Sequence, residues 1–78
     1  QLLKPLYDSV RNIEQQLSAS RARLQSLQQK LADETMYTDH EHAAALQQLV
    51  YDQASEKSRI EDLELRWLEA SEALENAP

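Results

Sequence analysis

The sequence predicts an all-α fold, a two-helix antiparallel coiled-coil hairpin. Three observations predict it. Apolar residues recur at alternating intervals of three and four through residues 3–31 and again through 46–74, the spacing of a helical seam. A short segment without that spacing, residues 33–38, divides the two runs. The charges on either side of it have opposite sign.

Composition agrees. Among 78 residues there is no Gly, no Phe and no Cys. A β-rich fold needs turn glycines and β-branched runs, and both are missing. Disulfides and cysteine-based metal sites are excluded outright, so nothing staples a small core. Lack of Cys also fits a reducing compartment, and the expected location is cytoplasmic. The longest apolar run is Ala43 to Leu46, far short of the about 20 residues a membrane span requires. Residues 1–10 lack the apolar stretch of a signal peptide. With no starting Met, the chain reads as an excised or processed piece of a larger protein.

The first helix is expected over about 4–32. With Leu3 at position a of a heptad, a holds Leu3, Val10, Leu17, Leu24 and Leu31, and d holds Leu6, Ile13, Ser20 and Leu27. Ser20 is the only polar member. Pro5 lies near the start, where a helix tolerates it. The bend is expected over about 33–38. Thr38 and Glu41 have the spacing of a capping box, with Asp39 as the alternative cap. The second helix, over about 39–75, carries Leu46, Gln53, Ile60, Trp67 and Leu74 in one row and Leu49, Glu56, Leu63 and Ala70 in the other.

A short connection makes consecutive helices antiparallel neighbours. Pairing residues whose numbers sum to 76 or 77 sets Leu17 against Ile60, Val10 against Trp67 and Leu6 against Ala70. It also sets Ser20 against Glu56, the one polar d residue against the other. A slip of one heptad would strand Glu56 among leucines. Arg23 and Asp52 would flank this layer. The arm should be about 45 Å long at about 1.5 Å per residue.

Net charge is −6, which counts against a freestanding nucleic-acid binder. The charge is uneven, however. Residues 1–32 carry five cations (Lys4, Arg11, Arg21, Arg23, Lys30) and two acids, whereas residues 39–78 carry ten acids and three cations. Pairing of the two helices is the plain reading of this asymmetry. The functional reading is phosphate contact by the five cations of the first helix.

Catalytic constellations are missing. His40 and His42 are two apart and point to different sides of a helix, so they do not form a metal-binding pair. No Cys/His cluster has zinc spacing, and no glycine loop exists to cradle phosphate. A two-helix hairpin also offers no enclosed pocket for Ser, His and Asp chemistry. Met36 and Tyr37 are expected at the tip, either as a plug over Leu31 and Leu46 or as a contact point for a partner. Leu65 and Leu68 fall off the seam and are candidates for a docking surface.

Several of these residues stand in a familiar order. The first helix follows Lys4-Pro5-Leu6, the bend reads Leu31-Ala32-Asp33 and then Met36-Tyr37-Thr38-Asp39, and the second helix carries Arg66-Trp67-Leu68-Glu69. This resembles the C-terminal coiled-coil domain of ABC-F ATPases of the Uup/YheS type. There the bend commonly reads leucine-tyrosine-serine-aspartate, and the closing helix has an arginine-tryptophan pair. Met36 and Thr38 depart from that pattern. The resemblance implies a soluble protein with two ATP-binding cassettes and no membrane domain, acting on the ribosome in translation. It implies that this arm is not an enzyme itself and holds no cofactor, ATP and Mg belonging to upstream domains. It further implies contact with ribosomal RNA, DNA or a ribosomal protein. The alternative is a structural module that docks on the parent ATPase or self-associates, as a monomer or weak dimer.

Overall fold

The computed structural model describes residues 3–38 and 40–77. The chain is all-α among these residues. Helix α1 spans Lys4–Leu31, two short 3-10 turns follow at Glu34–Tyr37 and His40–His42, and helix α2 spans Ala43–Glu75. The molecule measures 60 × 14 × 13 Å. Placed end to end, helices of 28 and 33 residues would stretch about 90 Å at about 1.5 Å per residue. They lie side by side instead.

Each helix starts and stops for local reasons. Pro5 occupies the first turn of α1, where its missing N–H has no partner to lose. The chain has no glycine, and no described residue takes a positive φ, so α1 cannot end in the usual left-handed cap. Asp33 ends it by turning extended, at φ −73° and ψ 109°. The Asp33 carboxylate accepts from the Thr35 N–H at 3.0 Å and the Thr35 hydroxyl at 2.7 Å. These bonds hold its pKa below the ordinary value, with the charge of His42 adding to them.

The Tyr37 hydroxyl donates to the Leu31 carbonyl at 2.6 Å. That carbonyl is one of the acceptors a helix end leaves without an internal partner. Tyr37→Phe is expected to lower stability by about 1 kcal/mol, read as a drop of a few degrees in the circular-dichroism melt. An unchanged melt would show that water replaces the hydroxyl.

The start of α2 differs from the sequence expectation. It begins at Ala43 rather than near residue 39. Thr38 is not its cap: its backbone is helical, at φ −100° and ψ −5°, whereas a capping residue is extended. Its hydroxyl donates instead to the Thr35 carbonyl at 3.1 Å. Asp39, the alternative cap, lies outside the described residues. Sequence spacing did not foresee that the bend would coil into 3-10 turns, which displace the helix start by one turn.

The predicted seam rows are the ones that turn inward. Leu6 through Leu31 on α1 and Leu46 through Leu74 on α2 are buried or half-buried at every a and d position. Leu17 and Leu63 are deepest among the apolar residues, at 5% and 3% exposed, and Ser20 is fully buried. Leu3, at the open end, is exposed.

Cross-helix bonds run in opposing order. Glu14 pairs with Trp67, Arg21 with Glu64 and Arg23 with Glu56, so numbers rise on α1 as they fall on α2. The numbers of these partners sum to 79 to 85, above the 76–77 of the sequence register, while Ser20 and Glu56 bond at the expected 76.

Candidate interaction surface

The five cations of α1 do not form one patch. Residues at e and g of a heptad flank opposite sides of the seam. Arg21, at e, lines one groove between the helices together with Glu14, Leu17, Glu64, Trp67 and Leu68. Arg23 and Lys30, at g, line the other, with Leu27, Asp52 and Glu56. Lys4 and Arg11 share a separate row on the outside of α1 and are exposed.

Three of the five are already engaged. Lys4 pairs with Asp8 at 3.0 Å, Arg21 with Glu64 at 3.3 Å and Arg23 with Glu56 at 3.1 Å. Arg11 and Lys30 have no ion pair among the described residues. The exposed pairs at Lys4 and Arg21 each contribute about 0–1 kcal/mol, so a phosphate could take these cations from their partners at little cost.

The polar layer is tighter than the sequence reading had it. Arg23 reaches back to join it, donating to Ser20 Oγ at 3.1 Å and to Glu56 Oε1 at 3.1 Å. Arg23 had been expected beside Asp52, but Asp52 accepts from Gln48 on its own helix at 2.8 Å. Burial by itself would raise the Glu56 pKa. The Ser20 hydroxyl and the Arg23 guanidinium outweigh it, with Arg59 adding at longer range, so the carboxyl stays below its ordinary value. Glu56 Oε2 is buried without a hydrogen-bond partner, so the carboxylate depends on Ser20 and Arg23 to be tolerated inside the seam.

The tip is partly closed. Met36 is half-buried and lines a small hollow with Leu46 and Ala43, while Tyr37 is exposed apart from its bond to Leu31. Met36 and Leu46 thus face the same hollow, and the Tyr37 hydroxyl is bonded at the end of α1. His40 and His42 sit on the second 3-10 turn. No group of three or more potential metal ligands occurs among the described residues. No helix of the described residues is long and apolar enough to cross a membrane.

Leu65 and Leu68 are exposed as expected, at 56% and 51%. The groove beside them was not anticipated. Trp67 Nε1 donates to Glu14 Oε2 at 3.2 Å, which fixes the indole between the helices. The signal for it was present: a tryptophan is too large to close over a two-helix seam, so part of its ring must face outward.

No protein-family model, curated protein or solved structure matches the chain.

Proposed function

We propose that the chain is an antiparallel coiled-coil hairpin serving as a non-catalytic accessory arm. It would extend from an ATP-binding cassette ATPase of the ABC-F type and contact nucleic acid, either ribosomal RNA or DNA, or the ribosome. The observation that carries this reading is the rod shape, 60 Å long and about one helix pair thick. A rod of that kind has surface to offer and no enclosed cavity in which to do chemistry. The family assignment rests on the bend sequence and on Arg66-Trp67.

The contact residues on this reading are Lys4, Arg11, Arg21, Arg23 and Lys30. The test is a gel-shift titration with structured RNA and duplex DNA over a range of salt. Binding at low salt is expected to weaken with added salt, by a slope of about 0.9 per phosphate contacted on duplex DNA. Arg11→Gln with Lys30→Gln should reduce that slope more than changes at Lys4 or Arg21, whose charges are partly neutralised already. Absence of any shift at low salt would refute the electrostatic contact.

A second reading, a module that docks on the parent ATPase or another protein, is favoured by the exposed leucines on α2. Leu65 and Leu68 sit one turn apart on the outer face of the acidic helix, where phosphate contact has no use for them.

A further inference from the structure

We infer that the groove beside Trp67 is a docking site for a cationic amphipathic helix of a protein partner. The inference rests on the docking reading and specifies its occupant.

The groove has the shape and lining such a helix needs. It is an open trough of about 700 Å³, with Leu17 and Trp67 toward the seam and Leu68 at its edge. Glu14 holds the indole in place, so the apolar surface is largely pre-formed. Leu65 lies one turn from Leu68 and carries the apolar surface outward. A helix with apolar side chains at i, i+3 and i+4 could place one in the trough and another over Leu65.

Charge selects the occupant. Residues 61–75 carry Glu61, Asp62, Glu64, Glu69, Glu72 and Glu75 against the single cation Arg66. Arg66 is held by Asp62 at 3.1 Å, and Glu64 is held by Arg21. Glu61, Glu69, Glu72 and Glu75 have no ion pair among the described residues. Lys or Arg flanking the apolar row of an incoming helix would meet this surplus, which also steers encounter. The same carboxylates repel phosphate and disfavour nucleic acid here.

A second copy of the chain fits less well. Its α2 would bring the same carboxylates against these. Its α1 is basic, but the apolar rows of α1 already face α2, and among the described residues the large exposed apolar ones there are Tyr7 and, at the N-cap, Leu3. The patch itself is a few side chains, whereas a stable dimer uses about 20–30 residues a side.

Trp67 is the sole tryptophan, so its emission reports the groove directly. The probes are three synthetic peptides: a leucine-heptad helix flanked by lysine, the same helix flanked by glutamate, and the lysine peptide with its leucines scrambled. The lysine-flanked helix is expected to shift Trp67 emission and to bind at least about tenfold more tightly than the other two, a difference within reach of charge complementarity. Leu65→Glu with Leu68→Glu should weaken that binding by about tenfold or more. The helical spectrum should be unchanged, because both residues are exposed.

Equal binding of the lysine and glutamate helices would overturn the cationic assignment and leave the docking reading standing. Binding that survives the double leucine substitution, or no binding by any peptide, would overturn the site itself. Light scattering of the chain alone adds the remaining arm: an emission shift that grows with protein concentration as the mass doubles would make a second copy the occupant and overturn the inference.

Discussion

Leu63→Ala should abolish most of the cooperative thermal transition. Leu63 is the most buried large apolar residue, with Leu17 second. Truncating a buried leucine costs about 2–5 kcal/mol, through lost transfer energy and the cavity left behind. Native domains hold only about 0.05–0.15 kcal/mol of stability per residue, so for a chain this size the loss takes a large share of the total. A seam between two helices has no second layer to collapse into the gap. The measurement is circular dichroism at 222 nm against temperature, with Leu65→Ala as the control. Leu65 is 56% exposed, so its truncation should move the midpoint little. If the two variants melt alike, the core does not lie where the burial places it.

Glu56→Leu should move stability in the opposite direction from Ser20→Ala. Ser20→Ala removes a hydroxyl from a fully buried position. It leaves Glu56 with less to offset its burial, at a cost of about 1–3 kcal/mol. Glu56→Leu removes the buried carboxylate itself, and such replacements are often neutral or stabilising by about 1–4 kcal/mol. The outcome that would sink this account is a Glu56→Leu protein that melts below the parent.

The same substitution should loosen the pairing, because a polar residue in a seam specifies register and oligomeric state. Sedimentation of Glu56→Leu is expected to show more association than the parent at the same concentration. The polar layer also sets an acid limit. The Glu56 pKa is lower in the folded chain than its ordinary value of 4.5. Its contribution is therefore complete above pH 4.5 and is lost as pH falls below that, through the folded pKa. Glu56→Leu should flatten the acid limb of the stability curve; Arg23 is half-exposed, so added salt should shrink this contribution in the parent.

The seam was legible in the sequence because burial in a helix pair follows the heptad directly. Every a and d residue from Leu6 to Leu31 and from Leu46 to Leu74 faces inward, and the spacing of side chains around a helix dictates as much. The bend was less legible. Thr38 and Glu41 have capping-box spacing, but spacing cannot show that Thr38 is itself coiled into the preceding turn. Among the candidate site residues, exposure of Leu65 and Leu68 followed from their position off the seam. The engagement of Arg21 by Glu64 and of Arg23 by Ser20 and Glu56 did not, since long side chains choose partners only after two backbones are set side by side.

The sequence by itself determined that this chain is helical, which residues line its seam, and that one helix is basic and the other acidic. Each of these follows from residue type and helical period alone. Tertiary structure decided the rest: the capture of Arg23 by the buried layer, the division of the cations between two grooves, and the trough beside Trp67. These depend on how far one helix slides along the other. A heptad repeats along its whole length, so it fixes which faces meet and leaves the slide to the side chains that lock between them.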